Sequence, residues 1–453
     1  MRKFAILALA ALLLFAFTMP APAMEYNFGG YWRTRWYTNQ NFTGYDKEDV
    51  TDAGLKAEGV KKDITRVDTR TRLYFTAVFN ENLKFVNKFE MDATWGDSSS
   101  YADIGADGKN FEIKNSYVDF KVGAVNAKVG VQGVKLARGF IFDDDAAAVS
   151  VAFNAGNVSI PVVWIKAFDE DESKDENGAT ITHKRDVDYF IVSPIISAGS
   201  VKINPFGLYA YSEDAGGWGP NAGWGLHRDI FKRDQFGDVD MYYVGANLDV
   251  DFGAGSFWLT GIYQGGEAEL DGGEETVDFK AYLGAAGAKV NIGIGDFHMQ
   301  GFYASGDDSP GDKDMEEFFV PQGQSYYWSE IMGYGTFDSG KIQINGEDRP
   351  GDKIGNIMAG NVGVTLKPAP KLSVSLDAWY AALAEDVVVI DSDGNASEEN
   401  ALGIEANVKV TYQIVEGLSL DLVGAYLFAG DALYQGEGAT DPYEFGTRLS
   451  LSF

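Results

Sequence analysis

The side chains with most chemical potential in this sequence are cationic and spaced by two. Arg33 and Arg35 stand close to the N-terminal end, Arg66, Arg70 and Arg72 flank Asp68 in a second stretch, Lys84 and Lys88 follow, and Arg448 lies near the C-terminal end. Alternate residues of a β-strand point to the same face. A row of guanidinium groups on one face offers paired donors to carboxylates, and along a water-filled passage it favours anionic solutes. The same residues also suit a plainer role, with Arg33, Arg35 and Asp68 as salt-bridged residues that stiffen a wall. Such clustering is unexpected in a chain whose formal charge is −30 at pH 7.

Positioning a row of this kind requires strands, and the pattern for them runs to the last residue. Tyr26, Phe28, Gly30, Trp32, Thr34 and Trp36 alternate with Asn27, Gly29, Tyr31, Arg33 and Arg35, the period of a strand with one apolar and one wet side. In the second stretch Val67, Leu73, Phe75, Ala77 and Phe79 oppose Arg66, Asp68, Arg70, Arg72 and Tyr74. Apolar rows recur in Leu372 to Ala382, Leu402 to Tyr412, Leu418 to Phe428 and Tyr443 to Phe453. Tight turns are expected near 80–82, 123–124, 154–156, 198–199, 253–255, 293–295, 368–370 and 416–417. Long connections alternate with them, near 38–64, 96–110, 135–145, 169–184, 213–236, 307–353, 385–399 and 430–442, with a shorter one at 267–275.

Nine hairpins make about eighteen strands of ~10–14 residues, with sixteen as the alternative count. The predicted fold class is all-β: a transmembrane antiparallel up-and-down β-barrel with short periplasmic turns and long extracellular loops. A propeller or a soluble sandwich would alternate in the same way. Closure sets the last strand beside the first, so Arg33, Arg35, Arg66, Arg70, Arg72 and Arg448 converge into one basic ladder, extended by Lys88. These are the candidate pore-lining and selectivity residues.

Residues 1–23 read as a cleaved secretory signal peptide: Arg2 and Lys3 precede an apolar run from Phe4 to Phe17, and Ala21-Pro22-Ala23 ends it. Residues 24–453 then form a single barrel domain. The apolar run is shorter than the ~20 residues of a membrane helix, and nothing later approaches that length. A mean hydropathy of −0.16 would suit a soluble protein, but a barrel wall averages its apolar half away. With no cysteine in the chain, disulfides, thiolate metal sites and covalent haem are excluded, and no cofactor is expected. The acidic balance argues against nucleic acid as a partner.

His183, His227 and His298 are the only histidines and share no Ser-His-acid spacing, which points away from an enzyme. The run Asp391 to Asn395 begins like a calcium loop. Ala396 and Leu402 stand where that loop needs Gly and Glu, so no metal site is expected.

Two connections invite a role in narrowing the passage. The one at 135–145 ends in Asp143, Asp144 and Asp145, which would face the basic ladder if the loop folds inward. The long one at 307–353 carries Phe318, Phe319, Tyr326, Tyr327, Trp328, Tyr334 and Phe337. Aromatics this dense must pack on something, as an inward plug, a lid or a stacking surface.

The opening Phe28-Gly29-Gly30-Tyr31-Trp32-Arg33-Thr34-Arg35, the segment Val129-Gly130-Val131-Gln132 and the terminal Phe453 resemble the porin-like barrels of Gram-negative bacteria. Within that group they look most like the eighteen-strand barrels related to alginate-export channels. The resemblance implies a passive channel in which Arg33, Arg35, Arg66 and Arg70 meet anionic solute. Val131 departs from the Gly-Arg-Gln motif of that group, which counts against alginate itself.

The expected function is a porin-type channel for passive diffusion of small hydrophilic, including anionic, solutes across the outer membrane. Its partners would be outer-membrane lipid and lipopolysaccharide, the permeating solute, and the barrel-assembly machinery acting on Phe453, with a homo-oligomer or a monomer both compatible. Two rivals are a structural or adhesive barrel with a plugged lumen, and a barrel that sheathes a multihaem cytochrome.

Overall fold

Strict alternation between apolar and polar residues makes a strand that can face lipid on one side and water on the other, provided that every backbone group is paired. The computed structural model meets that condition by closing the sheet on itself. It describes residues 24–42, 63–106, 111–169, 172–174, 180–182, 186–215, 236–270, 275–309, 311–323, 326–338, 343–344, 347–348, 354–390, 395–433 and 441–453. The expected signal peptide, 1–23, and residues 391–394 of the acidic run lie outside them.

Eighteen strands form the wall. The first nine are β1 (Glu25–Gln40), β2 (Ile64–Asn80), β3 (Leu83–Thr94), β4 (Glu112–Val122), β5 (Val125–Leu136), β6 (Phe142–Ala155), β7 (Val158–Phe168), β8 (Val187–Val192 and Ile195–Ala198) and β9 (Val201–Ser212). The second nine are β10 (Phe236–Asp251), β11 (Gly255–Leu270), β12 (Thr276–Asn291), β13 (Gly295–Ala304), β14 (Ile357–Ala369), β15 (Leu372–Ile390), β16 (Ala396–Val415), β17 (Leu418–Ala429) and β18 (Tyr443–Ser452). Each is antiparallel to its chain neighbours, and β18 pairs with β1 from Tyr31↔Ser452 to Gln40↔Tyr443. The sixteen-strand alternative is thereby set aside.

The seam is finished by the terminal residue. Gly30 donates its N–H to the Phe453 carbonyl (2.8 Å) and accepts the Phe453 N–H (3.2 Å). A Cβ on Gly30 would collide with the Phe453 ring and the Arg72 carbonyl, so the glycine lets the ring lie over the first strand.

Parity sorts as the sequence predicts. Phe28, Trp36, Leu73, Leu376, Tyr380, Ile404, Val408, Tyr412, Leu422, Tyr426, Phe428 and Phe445 are exposed on the outer surface, while Arg33, Arg35 and Tyr37 are buried inside. One expected apolar row breaks at its end: Leu402 is fully buried, not outward. A register shift lies beside it, between Ala381 and Ala382, and Gly403 has a φ of +126°. A β-bulge of this kind reverses the facing of the residues beyond it.

The short turns fall where they were expected, but two long connections are shorter than predicted. β5 and β6 leave only 137–141 between them, and β15 and β16 only 391–395. β8 is interrupted at Ser193-Pro194, where proline cannot donate. The Asn204 amide compensates, donating to the Ser193 Oγ (2.8 Å) and the Pro194 carbonyl (2.8 Å). Among the described residues no helix is long and apolar enough to cross a membrane. The apolar core is lumenal: one cluster joins inward residues of the wall to Phe140, Ile141, Phe318, Phe319, Ile331 and Met332 of inward-folded connections.

Candidate functional site

Register brings the predicted cations together. Across β1 and β2, Tyr31 faces Arg72, Arg33 faces Arg70, Arg35 faces Asp68 and Tyr37 faces Arg66. On its other side Arg35 faces Arg448 of β18. Lys88 of β3 lies opposite Tyr74 with its ammonium 5.8 Å from the ring centre.

Most of these arginines are answered by carboxylates of the same wall. Arg35 holds Asp68 through two bonds of 2.8 and 2.7 Å. Arg70 holds Asp92 (2.7 and 2.5 Å) and approaches Glu90 (3.3 Å), Arg72 holds Glu90, and Arg448 holds Asp421 (2.9 and 2.7 Å). Bidentate pairs fix guanidinium planes while leaving other donors for a visitor. Sequence reasoning missed Glu90 and Asp92, although each shares the inward parity of its strand, and did not pair Asp421 with Arg448.

The connection between β13 and β14 folds into the lumen and meets the wall at widely separated strands. Phe318 packs edge-on against Tyr243 of β10, and Phe319 against Phe279 of β12. Gln264 of β11 accepts the Phe319 N–H (3.1 Å), and the Tyr243 hydroxyl donates to the Phe319 carbonyl (2.9 Å). Trp328 meets Trp379 of β15 at 5.0 Å. The fully buried Glu405 of β16 accepts the N–H groups of Glu330, Ile331 and Met332 at 2.8, 3.0 and 2.9 Å.

A final strip, Gly335 to Asp338, reaches the ladder itself. Phe337 stacks on Tyr37 at 5.1 Å. Arg35 Nη1 donates to the carbonyls of Thr336 (3.1 Å) and Phe337 (2.8 Å) and to the Asp338 carboxylate.

The turn between β5 and β6 also points inward. Ala137, Arg138 and Gly139 have φ values of +51°, +61° and +96°, and Phe140 stacks on Tyr326 at 3.8 Å. Burial pushes the Tyr326 phenol up to about 12, so it stays neutral. Arg138 reaches the far wall, donating to Thr260 (2.9 Å) and Asp249 (2.9 Å) and lying over Trp258.

Asp143, Asp144 and Asp145, expected in this loop, instead belong to β6. The strands continue past the predicted turn, and the three carboxylates bond locally. Asp143 pairs with Lys135 (2.5 Å), Asp144 accepts the Asp145 N–H (2.7 Å), and Asp145 accepts from Asn115 (2.5 Å). The carboxylate that reaches Arg33 and Arg35 from a connection is Asp338, and the cation at the tip of the shorter turn is Arg138.

Two cavities border the strip. The smaller, about 400 Å³, is lined by Arg33, Arg35, Arg66 and Arg70 with Asp68, Asp92, Asp97 and Asp338. The larger, about 610 Å³, is lined by Trp258, Lys289, His298, Asp377, Lys409 and Arg448, with Gly335 and Thr336 on its border. There His298 lies between Asp296 (3.1 Å) and Asp377 (2.8 Å). Among the described residues no group of acidic side chains and histidines is arranged to hold a metal ion.

No protein-family model matches this chain, and no curated protein matches its sequence. Solved structures do match its fold. The outer membrane protein OpdK from Pseudomonas aeruginosa superposes with a TM-score of 0.54 at 10% identity, over 95% of this chain and 98% of that one. A BenF-like porin from Pseudomonas fluorescens Pf-5 gives 0.56 at 9% identity, over 95% and 98%. OccAB3 from Acinetobacter baumannii gives 0.56 at 8% identity, over 95% and 99%. The chain therefore has the closed barrel fold of outer-membrane porins from end to end of the described wall.

Proposed function

We propose that this protein is an outer-membrane channel for passive diffusion of small hydrophilic solutes, in which the ladder Arg33, Arg35, Arg66, Arg70, Arg72, Lys88 and Arg448 favours anions. The observation that carries the reading is the sorting of the wall: an apolar outer face over a lumen whose β1, β2, β3 and β18 arc is studded with guanidinium groups. Export by residues 1–23 and recognition of Phe453 by the assembly machinery belong to the same reading. OpdK has been crystallised with vanillate, a carboxylate, which accords with an anionic solute here.

The deciding measurement is the reversal potential of the purified protein in a planar bilayer under a potassium chloride gradient. Chloride preference, reduced in Arg33→Ala and in Arg70→Ala, is the expected result. Cation preference that neither substitution alters would end the ladder hypothesis.

The lumen-crossing segment favours a second reading, a plugged structural or adhesive barrel. Steady ohmic steps in the same bilayer count against it, and silence supports it. A sheathed cytochrome would need the lumenal space that Phe318 to Asp338 fills, which stands against that alternative.

A further inference from the structure

Arg35, Arg70, Arg72 and Arg448 each have a carboxylate from the wall, in Asp68, Asp92, Glu90 and Asp421. Arg33 has none. It is 9% exposed, its Nε has no hydrogen-bond partner, and its one ion-pair contact among the described residues is Asp338 of the strip, at 3.9 Å.

Asp338 also closes on Arg35 Nη1, so a single carboxylate is shared by two adjacent guanidinium groups at the edge of the smaller cavity. A dissolved monocarboxylate would seek the same arrangement. Four arginines line that cavity against four aspartates. With Asp338 in place the charges balance, and with Asp338 withdrawn one positive charge is left over. Asp338 itself adopts a φ of +41°, a left-handed conformation that release would relieve. The strip it anchors borders both cavities, with Gly335 and Thr336 on the larger and Asp338 on the smaller. Cations continue on the far side in Lys409 and Arg448, and Lys409 reaches Thr336 Oγ1 at 3.4 Å.

We propose that Asp338 is a tethered stand-in for the carboxylate of the permeating solute. An entering carboxylate takes over its donor on Arg35 and its place beside Arg33, the strip leaves β1, and the two cavities join. Exchanging one carboxylate for another conserves the charge-assisted bond, while the Thr336 and Phe337 carbonyls and the Phe337 ring give up Arg35 and Tyr37, so displacement needs solute in excess. This inference rests on the anion-channel reading above.

The test is single-channel recording of the full protein in potassium chloride, with acetate as probe and acetamide as neutral control. Acetate is expected to raise wild-type conductance about two-fold or more, saturably, and acetamide to leave it unchanged. Asp338→Asn should conduct at the raised level from the start and ignore acetate.

Asp338→Cys gives the comparison within one inserted molecule, because the chain has no other cysteine. A sulfonatoethyl thiosulfonate reagent, which leaves an anion at 338, should lower its conductance, and a neutral methyl reagent should not. Conductance and acetate response in Asp338→Asn equal to wild type would overturn the stand-in. If chloride preference is measured in those same membranes, the channel reading survives that loss. No chloride preference in either protein would remove the anion-selective reading and the stand-in together.

Discussion

Two arcs of the same barrel present their inner faces to different surroundings. On β1, β2, β3 and β18 the inner face carries paired arginines and borders a wet cavity. On β10 to β13 it carries Val239, Met241, Tyr243, Ile262, Phe279, Leu283 and Phe302, all buried, and Phe318 and Phe319 pack against it. Both arcs obey the same alternation, and what differs is who occupies the lumen beside them. Inward parity in a barrel therefore means "away from lipid", and only the partner decides whether the position is wet or dry.

The sharpest way to break this comparison is at the dry arc. Phe318→Ala with Phe319→Ala removes both aromatic anchors, each a loss of about 3–5 kcal/mol of packing. Conductance should rise severalfold and the thermal transition should fall. Unchanged conductance would show that the segment is held elsewhere.

Glu405→Gln comes next, since it puts an amide NH2 in place of one oxygen of a side chain whose two oxygens accept three backbone N–H groups. Leaving a buried donor unpaired costs about 1–3 kcal/mol, so amide exchange at Glu330, Ile331 and Met332 should quicken about ten-fold. Retained protection there would mean that Trp328 on Trp379 suffices to hold the strip.

At the wet arc a single charge has a smaller effect. Arg70→Ala should lower the chloride-to-potassium permeability ratio by about two-fold, the scale of one screened charge in water. The smallest change belongs to Lys135→Ala, which opens a half-exposed pair with Asp143 worth ~0–1 kcal/mol. Its conductance and selectivity should match wild type, and a marked change would return Asp143 to the constriction.

Much of the wall was legible because its signal is repeated: period two, tight turns and a closing aromatic residue each constrain the others. The ladder followed from parity plus closure, which is why Arg35 and Arg448 could be placed side by side although most of the chain separates them. Its carboxylate partners were equally readable by parity, yet Asp92 sits between Met91 and Ala93 and draws no notice, and Asp421 gains its role only from Arg448 on the next strand. The constricting elements were not legible. Asp143 to Asp145 looked like a loop because three acidic residues rarely lie in a strand, but an extended wall can rise beyond the lipid and carry them. Asp338 has no local signal, since its role arises from Arg33 and Arg35, which lie at the opposite end of the sequence.

The inward segment leaves the wall between β13 and β14, yet beyond the dry arc it is moored to Arg35 on β1, Trp379 on β15 and Glu405 on β16. Trp379 and Glu405 lie one and two strands beyond β14, but Arg35 and Tyr37 come within the segment's reach only after the sheet has curled round and its two ends have met. Seating of Phe337 on Tyr37 is therefore expected to follow closure. In refolding into detergent or lipid, a Phe337→Trp reporter should show a slow fluorescence phase that begins after the β-sheet signal has levelled off, and a chain unable to zip its two ends together should lack that phase altogether.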